Sequence, residues 1–83
     1  MNSEPTNANR ADWAKEALAV FTARTFSGDQ PDLMCRHDLD SAIKDLICDL
    51  LHYARQHALD VSAIVQQAFR NFAVELVDEE MNP

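Results

Sequence analysis

The 83-residue sequence is poor in the residues that make tight turns, since it has one glycine and three prolines. β-Hairpins depend on such residues, so their scarcity argues against a fold built from β-sheets. Cysteine is also scarce. Cys35 and Cys48 are too few for a disulfide framework and do not follow a zinc-binding spacing, so we expect two reduced thiols.

Basic residues are outnumbered: seven Lys and Arg stand against 14 Asp and Glu, which gives a net charge of −7 and a pI near 4.6. Nucleic-acid binders need a basic surface to neutralise phosphates, so we expect no direct contact with DNA or RNA. A helix-turn-helix is disfavoured because Arg70 is the one cation of the presumed recognition helix. The start is polar and no apolar run approaches the roughly 18 residues that span a bilayer, so we expect a cytoplasmic protein without membrane contact.

Hydrophobic residues nevertheless make up 47% of the chain, and they recur at helical spacing in three segments. The sequence therefore predicts an all-α fold with a single helical domain over residues 9–80. A polar, flexible arm, 1–8, precedes the domain and a short tail, 81–83, follows it. The three predicted helices cover about residues 9–26, 38–58 and 61–80.

The expected helix ends follow from capping residues. Asn9, Asp38 and Asp60 are each placed to accept a hydrogen bond from the first turn of a helix. Gly28 suits the left-handed residue that closes the first helix. Ala58 stands where glycine is expected between the second and third helices, so the link is predicted to carry some backbone strain.

The short link between the second and third helices predicts an antiparallel hairpin. Both helices carry two adjacent apolar rows, which is more than one partner covers, and the first helix is short and rich in alanine. We therefore predict a homodimer with a four-helix core; the alternative is a monomer in which the first helix and the turn at 32–37 cover the hairpin. The residues expected in the core and self-association surface are Leu46, Leu50, Leu51, Tyr53, Ala54, Val65, Phe69, Phe72 and Leu76.

An acidic line on the second helix raises the question of a metal site. Asp45, Asp49 and His52 lie on one face, and oxygen and nitrogen ligands in such a line can hold a divalent cation. A tight site needs ligands that converge from several elements, whereas aspartates on one helix usually solvate its outer face. Lys44 and Arg55 flank the same surface. We therefore predict a solvated face without metal.

The segment IKDLICDLLHYARQHALDVSAIVQQAFRNF, residues 43–72, resembles the helix pair of the MazG-like, all-α nucleoside triphosphate pyrophosphohydrolases. In that family, carboxylates on two helices bind magnesium and the triphosphate. The resemblance implies that Asp12 and Glu16 stand for the first pair and Asp45 and Asp49 for the second. Both pairs are spaced by four residues instead of three, and Asp12 and Asp45 are shorter than the glutamates of the family.

The layout also resembles small uncharacterised helical proteins of bacterial phages, plasmids and integrated elements. The shared features are an acidic residue, Asp45, before a Leu-rich helix with a DLLH segment, 49–52, then Leu59-Asp60 at the turn and aromatic residues in the last helix, here Phe69 and Phe72. That group has no general assigned activity. The resemblance therefore implies that the chain is encoded on a mobile element, and it implies no mechanism.

Two functions follow from these observations. The first is a small acidic adaptor or regulatory protein without enzymatic activity or cofactor, which acts as a homodimer through protein–protein contacts. Its negative charge suits a basic host protein, such as one that handles nucleic acid or serves in defence. The alternative is a MazG-like nucleotide-binding protein, or a degenerate magnesium-dependent pyrophosphohydrolase.

Overall fold

The computed structural model describes residues 5–25 and 30–81, and over these ranges the chain forms helices and no strands. The α-helices are α1 (Asn7–Thr25), α2 (Arg36–Gln56) and α3 (Val61–Met81). A 3₁₀ turn, Pro31–Leu33, precedes α2. The predicted all-α class is confirmed. Gly28, the expected end of the first helix, lies outside the described residues, as do residues 1–4 and 82–83.

A reciprocal capping box starts α1. The Asn9 backbone N–H donates to Thr6 Oγ1 at 3.1 Å, and the Thr6 N–H donates to Asn9 Oδ1 at 3.0 Å. The Thr6 carbonyl accepts the first helical hydrogen bond, from Arg10 N–H at 3.1 Å. The cap is therefore Thr6, two orphan donors are satisfied, and the prediction that Asn9 caps the helix was wrong. Asn7 and Ala8, assigned to the polar arm, belong to the helix.

An unusual cap starts α2. Cys35 has extended backbone angles, and its Sγ accepts a hydrogen bond from the Asp38 N–H at 3.4 Å. The helix begins at Arg36, and Asp38 lies in its first turn. The prediction that Asp38 caps the helix was therefore wrong. A carboxylate in that turn is still favourable, because the first turn carries the positive end of the helix dipole. Cys35 thus caps α2, although cysteine is not among the residues that favour this position.

The link between α2 and α3 is closed by hydrogen bonds in a Schellman arrangement. The Ala58 N–H donates to the Arg55 carbonyl at 3.0 Å, and the Leu59 N–H donates to the Ala54 carbonyl at 3.1 Å. Ala58 has φ 57°, and it is the one non-glycine residue with positive φ in the described ranges. The strain expected at Ala58 is confirmed, and so is the cap at Asp60, whose Oδ1 accepts from the Ala63 N–H at 3.0 Å.

The buried side chains come from α1, the 3₁₀ turn and α2, and they are mostly small. Leu18 is 6% exposed, Ala54 6%, and Ala42 and Thr22 0%; Pro31 is also buried. Burial of a leucine side chain contributes about 1.5–3 kcal/mol, and alanine contributes less. Ordering the backbone costs about 1–2 kcal/mol per residue. The interior of one chain is therefore small for the number of residues that it orders.

Polar contacts attach the start of α1 to the second half of α3. Arg10 Nε lies 3.2 Å from Glu75 Oε2, and Asn7 Nδ2 donates to the Glu75 carbonyl at 3.0 Å. Arg10 also donates to Asn7 Oδ1 at 2.8 Å. These side chains are partly exposed, so the contact orients α1 more than it stabilises the fold.

Candidate interaction surface

The largest unexplained feature of the fold is its exposed apolar surface. None of the residues of α3, a helix that the structure describes in full, is buried. Scattered apolar residues are normal on a protein surface, whereas a contiguous set marks an interaction site. The exposed large hydrophobic residues of the described ranges are Trp13, Val20, Leu33, Ile43, Ile47, Leu50, Tyr53, Leu59, Ile64, Val65, Phe69, Phe72, Val74, Leu76, Val77 and Met81.

On α3 the apolar residues form one broad face, which we call the α3 face. At 3.6 residues per turn its members fall within a little more than half of the helix circumference. The Phe69 and Phe72 rings pair on it in a tilted arrangement, with centroids 6.3 Å apart. The members of the α3 face are Ile64, Val65, Ala68, Phe69, Phe72, Ala73, Leu76 and Val77.

The residues predicted to line the hairpin interior are mostly exposed in the single chain. Leu50 is 56% exposed, Phe69 71% and Phe72 57%, values far from those of core side chains. Ala54 is buried, and Leu46 and Leu51 are half-buried. Most of the predicted core and self-association set therefore lies at the surface of the single chain. The exposed remainder of the predicted set is Tyr53, Val65 and Leu76.

Four exposed residues that share the apolar rows of α2 and α3 lie outside the predicted interaction set. Ile43 and Ile47 lie on α2, and Ile64 and Val77 on α3, each between 39% and 51% exposed. Their spacing of four residues on each row was visible in the sequence. It could have been used to include them, because i and i+4 side chains share a helix face.

The overall dimensions agree with an open arrangement. The radius of gyration is 14.8 Å, against about 12 Å for a compact domain of this length. The accessible surface is 7002 Å², whereas a compact monomer of 9.4 kDa exposes about 5,000 Å². The difference, 7002 minus about 5,000, is about 2,000 Å² of surface that a compact fold would have buried.

The acidic line on α2 is a solvated surface in the structure. Asp45, Asp49 and His52 are all exposed. Lys44 pairs with Asp40 on the same helix, at 2.7 Å, and the hydrogen bond to Asp40 raises the pKa of Lys44 above its ordinary value. Lys44 therefore neutralises Asp40 and not Asp45 or Asp49.

The described residues contain no group of three or more His, Cys, Asp or Glu side chains placed to hold a metal ion. The four carboxylates of the MazG-like interpretation, Asp12, Glu16, Asp45 and Asp49, are therefore not gathered into such a cluster. A shallow depression at the end of α2 is lined by His52, Arg55 and Gln56. None of these three supplies a carboxylate oxygen, the ligand that magnesium prefers.

The remaining candidate side chains have structural surroundings. Cys35 and Cys48 are free thiols at exposed positions. The His57 ring stacks in a tilted arrangement on Tyr53, with centroids 4.6 Å apart. The ring contact lies at the end of α2, and it pairs a histidine with a tyrosine.

Comparison of the chain with protein-family models, with curated proteins and with solved structures gives no match. None of the helices in residues 5–25 and 30–81 has the length and apolar character to span a bilayer.

Proposed function

We propose that the protein is a small, acidic, cytoplasmic adaptor or regulator that works as a homodimer through protein–protein contacts and has no enzymatic activity of its own. In this proposal α2 and α3 of each chain form an antiparallel hairpin, and two hairpins form a four-helix core. The observation that carries the proposal is α3, a 21-residue helix with a broad apolar face and no buried residue. Such a helix needs a partner to remove that face from water.

The area supports a second copy of the chain as one such partner. Stable protein–protein interfaces of standard size bury about 1,600 Å² in total, or about 800 Å² per partner. The excess surface of about 2,000 Å² on each chain is more than enough for one interface of this size. An isologous contact uses the same patch twice, so two identical chains can cover each other.

The net charge of −7 supports a basic partner for the dimer. Asp45 and Asp49 are exposed and, among the described residues, have no basic side chain within ion-pair distance. Complementary charge speeds association and selects partners. We place the basic partner among host proteins that handle nucleic acid or serve in defence, and the gene that encodes the chain in a mobile element.

Sedimentation equilibrium tests the homodimer. Wild-type protein should sediment with about twice its chain mass of 9.4 kDa at micromolar concentrations, and dissociation on dilution should be accompanied by loss of helical circular dichroism. A fully folded monomer over the same range would contradict the proposal.

Competition tests the basic partner. Affinity capture from a bacterial lysate is done with the wild type and with Asp45→Asn/Asp49→Asn, which keeps the size of both side chains. The proposal expects a basic protein that the wild type retains, that added DNA releases, and that the double variant binds less well. Capture that neither DNA nor the substitutions affect would argue against an acidic docking surface.

A further inference from the structure

Resting on the homodimer proposed above, we infer that α3 packs against α3 of the second copy in an antiparallel orientation, with the two-fold axis passing between Arg70 and Asn71. Two identical helices can meet in either direction. The position of the charges on α3 favours the antiparallel one, and the order of its apolar residues and the layout of its rows are compatible with it.

The apolar residues of the α3 face are arranged symmetrically about its centre. In an antiparallel pair centred between Arg70 and Asn71, two residues lie opposite each other when their numbers add up to 141. Phe69 then lies opposite Phe72 of the second copy, and Ala68 opposite Ala73. The outer pairs are Val65 with Leu76 and Ile64 with Val77. Every pair matches aromatic with aromatic, small with small, or aliphatic with aliphatic.

The rows explain why such matching packs well. The α3 face consists of two rows with a spacing of four residues, Ile64-Ala68-Phe72-Leu76 and Val65-Phe69-Ala73-Val77. Rows of this spacing are the ridges that interdigitate in the commonest class of helix packing. Each row has an alanine beside a phenylalanine. The two-fold axis exchanges one row with the other.

Charge disfavours the parallel alternative. Asp78, Glu79 and Glu80 occupy the last turn of α3 and are exposed. A parallel pair would bring this run beside its copy, so that Glu79 and Glu80 of the two chains repel one another. In the antiparallel pair each acidic turn lies toward the N-terminal end of the other α3. The helix dipole is positive there, and Arg55 lies in the last turn of α2, the helix that precedes α3 along the chain.

Disulfide trapping in the full chain tests the orientation. Cys35 and Cys48, both exposed, are first replaced by serine. Val65→Cys and Leu76→Cys are then made in separate proteins of different tag length, mixed, equilibrated and oxidised. In the antiparallel pair Val65 lies opposite Leu76, whereas two copies of Val65 are separated by about 16 Å along the helix. A disulfide needs Cα atoms within about 7 Å.

The expected result is a covalent dimer in the mixture that contains one chain of each kind, and none when either protein is oxidised alone. Ile64→Cys with Val77→Cys is a second pair, for use if a substitution at 65 or 76 prevents folding. Covalent dimers of a single variant would show parallel pairing and overturn the inference while leaving the homodimer intact. A dimer in sedimentation that forms no mixed disulfide with either pair would also overturn it. A monomeric wild type would overturn the inference together with the proposed function.

Discussion

Ala58 shows how a single residue can be held in a conformation that its type disfavours. Its φ of 57° brings Cβ close to the following carbonyl oxygen, which costs about 1–2 kcal/mol for an L-residue. The hydrogen bonds of Ala58 and Leu59 to α2 carbonyls offset that cost. Glycine would make the same bonds without the steric penalty.

We therefore expect Ala58→Gly to stabilise the protein by about 0.5–1 kcal/mol, because relief of the left-handed strain exceeds the extra entropy that glycine loses on folding. Urea unfolding followed by circular dichroism, at fixed protein concentration, measures this. Ala14→Gly, at an exposed position inside α1, is the matched control and should destabilise by about 0.5–1 kcal/mol. Equal losses for both variants would show that Ala58 is not strained.

Thr6 is the second residue whose role can be isolated. Thr6→Ala removes the Oγ1 that accepts from the Asn9 N–H at 3.1 Å, so we expect a loss of about 1 kcal/mol in the free energy of unfolding. Thr25→Ala is the control, since Thr25 Oγ1 bonds the Phe21 carbonyl at the other end of α1 and alanine favours a helix. A Thr6 variant as stable as the wild type would mean that the capping box does not persist in solution.

At the scale of the helix, Leu50 distinguishes an exposed surface from a buried interface. In the single chain Leu50 is 56% exposed, and an aspartate there would cost little. In the proposed four-helix core the same change places a charge in an apolar interior, which costs several kcal/mol. We expect Leu50→Asp to lower both the stability and the dimer fraction in sedimentation.

Leu33→Asp is the matched control for Leu50→Asp. Leu33 is 83% exposed and lies on the 3₁₀ turn, outside the helices α2 and α3. The same chemical change there should leave dimer fraction and melting temperature nearly unchanged. If the two variants behaved alike, Leu50 would lie outside any interface.

The acidic face of α2 is expected to bind no divalent ion tightly, because its carboxylates lie in a row along one helix and, within residues 5–25 and 30–81, no second element completes a cluster of ligands. Calorimetric titration with magnesium and manganese, followed by a nucleoside triphosphate, should give no saturable heat. The control is Asp49→Asn. Saturable binding in the wild type that disappears in this variant would favour the MazG-like alternative over the adaptor.

At the scale of the whole molecule, helix positions were predictable and the partners of their apolar faces were not. α3 was predicted at 61–80 and observed at Val61–Met81, because Asp60 gives a clear capping signal. α1 and α2 begin two residues earlier than predicted. Thr6 forms its box with an asparagine instead of the usual glutamate or glutamine, and Cys35 is not among the favoured caps.

The buried set was harder to predict for a physical reason. Helical periodicity identifies which side chains share a face, but it does not say what covers that face. Leu50, Phe69 and Phe72 were assigned to an interior from their spacing, and the single chain leaves all three exposed. Leu18, Thr22 and Ala42 are buried instead.

Coupling of folding to association is the consequence that reaches the whole molecule. If two chains unfold and dissociate in one step, mass action stabilises the folded dimer by about 1.4 kcal/mol for each tenfold rise in protein concentration. For an assembly of two 83-residue chains, this should raise the melting temperature by about 3–6 °C per tenfold. Circular dichroism melts of the wild type at several concentrations measure the slope. A melting temperature that is independent of concentration would mean that each chain is stable with its α3 face in water, and the small interior formed by Leu18, Ala42 and Ala54 would then have to stabilise the fold alone.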